Sequence, residues 1–183
     1  NAISQAHTPT FDRLYRSAAW TSLEASGEAV GLPTGQMGSS EVGHLNIGSG
    51  RIVYQDMVRI SKSIREGDFV HNPALQQAME VTQERAAALH LFGLLSDGGV
   101  DGLQDPLYAL LRMAQTHGLS RVFVHACLDG RDTPPQSARH YMTALQETMQ
   151  RQDIGAVATV MGRYYGMDRD QRWERTKLAY DAF

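Results

Sequence analysis

The sequence predicts an α/β fold built on a parallel sheet, and three observations carry that reading. From residue 90 onward short apolar runs alternate with longer stretches of helical period, in the order β-α-β-α-β-α. Each run closes on a turn of small and charged residues: Ser96-Asp97-Gly98-Gly99, Asp129-Gly130-Arg131-Asp132 and Gly162-Arg163. Apolar residues make up 42% of the 183 positions and charged ones 20%, which supplies a packed core and excludes wholesale disorder.

The elements follow from local signals. Thr8-Pro9 reads as a helix start, with Phe11, Leu14 and Tyr15 at helical spacing behind it. Trp20 to Leu23 reads as a short strand. Gly27 to Gly50 carries seven glycines, a density that marks either tight backbone geometry or a long flexible loop. The apolar residues Val30, Leu32, Met37, Val42, Leu45 and Ile47 inside it favour packing. Ile52 to Ile64 predicts a helix with Met57, Ile60 and Ile64 on one face. Asn72-Pro73 opens another, to about Leu89. His90 to Leu95 is the first strand of the repeating part. Asp105-Pro106 starts a helix that Gly118 stops. Arg121 to Leu128 is the second strand, Thr133-Pro134 starts a helix to about Gln152, and Ala156 to Met161 is the third strand. A last helix begins near Gln171.

Composition narrows the partners. Lys plus Arg number 17 and Asp plus Glu 20, a formal charge of −3, so the basic stripe that nucleic acid demands is missing. The single cysteine, Cys127, excludes an internal disulfide framework and a cysteine-based zinc site. The longest apolar run, Ala86 to Leu95, is half of the ~20 residues a membrane helix needs. With no signal peptide in view, the expectation is a soluble cytoplasmic protein. The chain begins with Asn1 and stops at Phe183 inside a helical pattern, so it reads as a segment of something longer.

Two constellations carry chemistry. In a parallel sheet the three turns gather beyond the carboxyl ends of the strands, where α/β folds bind ligands. They bring Asp97, Asp129, Arg131, Asp132, Arg163, Asp168 and Arg169. Guanidinium groups there suit a small phosphate or carboxylate; the competing reading is that these arginines and aspartates only pair with each other. The second constellation is Gly38-Ser39-Ser40-Glu41-Val42-Gly43-His44. A serine on a glycine-flanked turn that opens a helix is placed as a nucleophile, and the helix terminus favours a phosphate on it. The plainer alternative is an N-cap with a glutamate behind it. His44 is either a base for Ser40 or an ordinary hydrogen-bonded histidine. His7, His71, His117 and His140 lack metal-ligand spacing and read as structural or exposed.

Four long motifs then resemble one family. Gly31 to Asp56 (GLPTGQMGSSEVGHLNIGSGRIVYQD), Leu94 to Val100 (LLSDGGV), His125 to Pro135 (HACLDGRDTPP) and Ala158 to Arg175 (ATVMGRYYGMDRDQRWER) are similar to signatures of cofactor-independent phosphoglycerate mutase, in the family's order. The resemblance covers essentially the whole chain. It implies an alkaline-phosphatase-like domain with two divalent metals, usually manganese, joined to an inserted transferase domain. Residues 1–54 would belong to the former and residues 55–183 to the latter, each in part. It implies an isomerase that interconverts 3-phosphoglycerate and 2-phosphoglycerate in glycolysis and gluconeogenesis, usually as a monomer. Ser40 would be the nucleophile that becomes phosphoserine and would also touch a metal. Asp101, Arg131, Asp132, Arg163 and Arg169 would stand at substrate-binding positions.

Two departures stand out. Ser39 replaces the asparagine usual before the nucleophile, and Asp101-Gly102-Leu103 replaces His-Ser-His, whose first histidine contacts substrate. A carboxylate at position 101 turns attraction for an anionic ligand into repulsion. The alternative function is therefore a non-catalytic module that binds a phospho-acid. Another phosphomutase or phosphatase of the superfamily is disfavoured by the Asp129–Pro135 and Gly162–Arg169 motifs. Most metal ligands of the family lie outside these 183 residues, so the segment alone is expected to be inactive.

Overall fold

A computed structural model describes residues 2–183. They divide into two compact units, the first ending at Val53 and the second running Tyr54–Phe183.

The first unit holds α1 (Ala2–Gln5), α2 (Pro9–Ser17), a 3-10 turn at Gly27–Val30 and α3 (Ser40–Ser49). Pro9 occupies the first turn of α2, where its missing N–H goes unneeded. Trp20 to Leu23 is not a strand: the unit contains no strand among its described residues, so there is no ladder to join, and Trp20 and Leu23 are 62% and 85% exposed. For the same reason the apolar residues of the glycine-rich stretch find little cover. Leu32 and Val42 are buried and Val30 is half-buried, whereas Met37, Leu45 and Ile47 are exposed.

The second unit opens with α4 (Asp56–Glu66), a 3-10 turn at Asp68–His71 and α5 (Pro73–Glu84). The sequence pattern places the start of α4 at Ile52. It begins four residues later, because Asn46 Oδ1 accepts the Val53 N–H at 2.7 Å and holds that stretch extended. Asn72 caps α5 through the backbone N–H groups of Ala74 and Leu75. Ala86, at φ +48°, ends the helical run well before Leu89.

Three parallel strands follow, β1 (Leu89–Leu95), β2 (Val122–Leu128) and β3 (Ala156–Gly162), in the spatial order of the chain. Between them lie α6 (Asp105–Thr116) and α7 (Ala138–Gln152). Pro134 and Pro135 delay α7 to Ala138, since a residue that precedes proline is pushed out of the helical region. Right-handed crossovers in a 1-2-3 sheet put α6 and α7 on the same face. Strand alternation shows it: Leu91, Leu95, Val122, Val124 and Ala126 share one core with Met79, Leu111, Ala114, Tyr141, Leu145 and Met149. The opposite parity, Leu94, Cys127 and Met161, packs with Ala179 of α9 (Trp173–Tyr180). On that second face His90 Nδ1 meets His125 Nε2 at 2.8 Å, and His125 Nδ1 meets Thr159 Oγ1 at 2.8 Å. This ladder crosses all three strands. Burial, and then the neighbouring His90, push the His125 pKa down.

Register decides where the site forms. Leu95 pairs with Leu128, and Leu128 with Gly162. The strands therefore end level, and Ser96, Asp129 and Arg163 leave the sheet side by side. Arg163 does not lie on a loop; it begins a single helical turn, α8 (Arg163–Gly166).

Candidate functional site

At the strand ends a buried cluster is built around two side chains. Asp129, 1% exposed, accepts a hydrogen bond from Ser96 Oγ at 2.7 Å on Oδ2. Its Oδ1 accepts the backbone N–H groups of Arg131 at 3.1 Å and Asp132 at 3.0 Å. Arg163, its side chain 9% exposed, donates from Nη1 to Asp129 Oδ1 at 2.9 Å and to Asp132 Oδ2 at 2.7 Å, and from Nη2 to Asp101 Oδ2. Burial alone would raise the Asp129 pKa. The bonds from Ser96, the Asp132 and Arg131 backbone and Arg163 outweigh it and hold the carboxyl at about 2. Burial likewise opposes the Arg163 charge, and hydrogen bonds to Asp101, Asp129 and Asp132 more than offset that, so its pKa moves up.

Arg131 and Arg169 behave differently. Both are exposed, and neither forms an ion pair among the described residues. They line one cleft of about 310 Å³ with Asp129, Arg163, Tyr164 and Arg175. That volume suits a small acid. Its wall is stiffened by Asp168, which is 2% exposed. Asp168 Oδ2 accepts the Arg172 N–H at 2.9 Å, and Oδ1 meets Arg175 Nη1 at 3.4 Å. The Arg175 guanidinium stacks over the Tyr164 ring at 3.9 Å. Thus the structure brings Arg131, Arg163 and Arg169 to one cleft, while Asp101 and Asp132 reach it through Arg163. The roles of Ser96 and the Arg175–Tyr164 stack escape sequence reasoning. A serine just past a strand, level with an aspartate past the next, is the signal for the first.

In the first unit Ser40 is the first residue of α3, and the residue before it does the capping: Ser39 Oγ accepts the Val42 N–H at 3.4 Å. Ser40 is exposed. Gly38 has no room for a side chain, since a Cβ there would fall 1.9 Å from the Ala25 carbonyl oxygen. His44 Nδ1 lies 2.6 Å from the Ser40 carbonyl oxygen and 3.2 Å from Ser40 Oγ. A carbonyl can only accept, so Nδ1 carries the proton and is no base toward the hydroxyl. The ordinary reading of His44 is the one the geometry favours.

Among the described residues the donors present do not by themselves make a metal site. Ser40 offers one hydroxyl, and no group of three or more His, Cys, Asp or Glu that could hold a metal ion occurs among the described residues.

A family model, BPG-independent PGAM N-terminus, matches residues 60–183, most of the chain. The chain belongs to that family. It is 59% identical over 182 residues to the 2,3-bisphosphoglycerate-independent phosphoglycerate mutase of Moorella thermoacetica, and 53% and 52% identical to those of Clostridium tetani and Clostridium perfringens. Each match covers 100% of this chain and 36% of the relative, so the chain spans about a third of their length. The crystal structure of Leishmania mexicana phosphoglycerate mutase at low cobalt concentration superposes with a TM-score of 0.72 at 33% identity, covering all of this chain and 35% of that one. The family resemblance and the α/β class with a parallel sheet both stand. Among the described residues no helix is long and apolar enough to cross a membrane.

Proposed function

We propose that the chain is part of an isomerase that interconverts 3-phosphoglycerate and 2-phosphoglycerate through a phosphoserine on Ser40. The observation that supports it best is the cleft at the strand ends, where Arg131 and Arg169 stand unpaired beside a buried, pre-positioned Arg163. Two unpaired guanidiniums on stiff turns bind a phosphate or carboxylate with little ordering cost. In this reading Tyr54–Phe183 is a substrate-binding transferase part, and the unit ending at Val53 carries the nucleophile of a phosphatase-like part.

The proposed reaction balances without added reagents. Ser40 Oγ forms a bond to phosphorus as the bond from phosphorus to the C3 oxygen breaks, and the hydroxyl proton ends on that oxygen. Glycerate then attacks the phosphoserine with its C2 hydroxyl, and Ser40 recovers a proton. Arginines that keep glycerate bound between the two transfers make the second one effectively unimolecular. Of the ligands for the two divalent metals that the family resemblance implies, usually manganese, these residues supply only the Ser40 hydroxyl.

Calorimetric titration with 3-phosphoglycerate tests the binding half. Arg131→Ala and Arg169→Ala are each expected to weaken binding about tenfold or more, since charge-assisted bonds to an anion contribute about 1.5–3 kcal/mol each. Unchanged affinity in both variants would overturn the reading. The 183-residue chain with manganese, in an enolase-coupled assay, is expected to give no turnover; measurable turnover would show that these residues suffice.

A second reading, a phospho-acid binding module without chemistry, draws support from Asp101, whose carboxylate sits on Arg163. A chain extended to the length of its relatives separates the two. A large rate gain for Asp101→His favours an impaired enzyme, and no rate in either form favours the module.

A further inference from the structure

Arg163 holds three carboxylates, and they are not equivalent. Asp129 and Asp132 share Nη1 and are 1% and 13% exposed. Asp129 is further anchored by Ser96 and two backbone N–H groups. Asp101 alone occupies Nη2, and its side chain is 46% exposed. It sits in the turn between Gly99 and Gly102, where the Gly99 N–H meets the Gly102 carbonyl at 3.3 Å, and its carboxylate bonds no other group among the described residues. Arg163 also lines the cleft that Arg131 and Arg169 line.

We infer that Asp101 is a built-in occupant of the anion position on Arg163 Nη2, which an oxygen of the incoming phospho-acid displaces while Asp129 and Asp132 stay in place. This rests on the phospho-acid reading of the cleft and adds a self-inhibiting contact to it. Exchange of one anionic oxygen for another leaves the charge balance of the buried guanidinium intact, so Arg163 is never left unpaired. The Arg163 hydrogen bond, outweighing a desolvation penalty and aided by the charges of Arg163, Arg131 and Arg169, keeps the Asp101 carboxyl below its ordinary range. A ligand therefore competes against a fully ionised carboxylate. The displaced group remains tethered nearby and repels the bound anion, so the contact lowers affinity in two ways.

The test is calorimetric titration of 3-phosphoglycerate into the wild-type chain, Asp101→Asn and Asp105→Asn at one fixed salt concentration, with circular dichroism to confirm that each is folded. Asp105 is an exposed aspartate with no ion pair among the described residues, and it controls for the loss of one negative charge. Asp101→Asn is expected to bind about three- to fivefold tighter, the upper part of the range for one exposed ion pair removed from competition, and Asp105→Asn to stay within about twofold. If wild type binds and Asp101→Asn binds no tighter, the inference fails and the phospho-acid reading survives. Equal tightening by both variants also overturns it, because long-range charge would then suffice. Folded wild type and Asp101→Asn that both fail to bind would overturn the inference and the phospho-acid reading together.

Discussion

Replacing Asp129 with alanine is expected to cost about 3–5 kcal/mol of folding stability, the range seen when one member of a buried ion pair is removed. The carboxylate accepts from Ser96 Oγ, from the backbone N–H groups of Arg131 and Asp132, and from Arg163. Its loss strands those donors next to a guanidinium with 9% exposure. Acid reports on the same group. The folded protein keeps Asp129 ionised down to about pH 2, against an ordinary 3.8 in the unfolded chain. Below about pH 4 the unfolded state thus binds the extra proton. The contribution, about 2 kcal/mol, is complete above that pH and is lost as the pH falls from 4 toward 2. Urea midpoints at pH 7 and pH 3 measure both effects. An alanine variant within 1 kcal/mol of wild type, or one with the full acid sensitivity of wild type, would remove Asp129 from its place at the centre of the cluster.

Ser40→Ala is expected to abolish phosphoryl transfer in a chain extended to the length of its relatives, with kcat down about ten-thousandfold or more, as for other covalent nucleophiles. The fold should barely respond, within about 0.5 kcal/mol, because Ser40 is exposed and Ser39 supplies the cap. Ser39→Ala should show the reverse, about 0.5–1 kcal/mol of stability and much less of the rate. His44→Ala should keep kcat within about tenfold, below the usual contribution of a general base, because its Nδ1 proton is committed to the Ser40 carbonyl. Phosphoserine detected by mass spectrometry in Ser40→Ala at another position, or a retained rate, would eliminate the proposed nucleophile.

Much of the fold was legible because its signals are local. Three apolar runs with helical spacing between them predicted β1 to β3 and the crossovers to within a residue or two of the strands. Boundaries went astray where a side chain or a proline pair acted at short range: Asn46 on Val53, and Pro134-Pro135 ahead of α7. Trp20 to Leu23 misled because a short run between apolar ends suggests a strand even where its unit offers no strand to pair with among the described residues. The site was legible as a list of residues, and its arginines do share a cleft. Their division of labour was not legible. Residues read as equivalent anion ligands separate into a neutralised Arg163 and unpaired Arg131 and Arg169.

What the sequence determined by itself is the order of elements, the family and the inventory of charges at the strand ends. Those depend on residues adjacent in the chain. The level register of three parallel strands determined the rest. It set Asp129 against Arg163 across 34 positions and Asp101 against Arg163 across 62. Pairing energies in a buried site depend on distance and exclusion of water, and neither quantity exists until the strands are side by side.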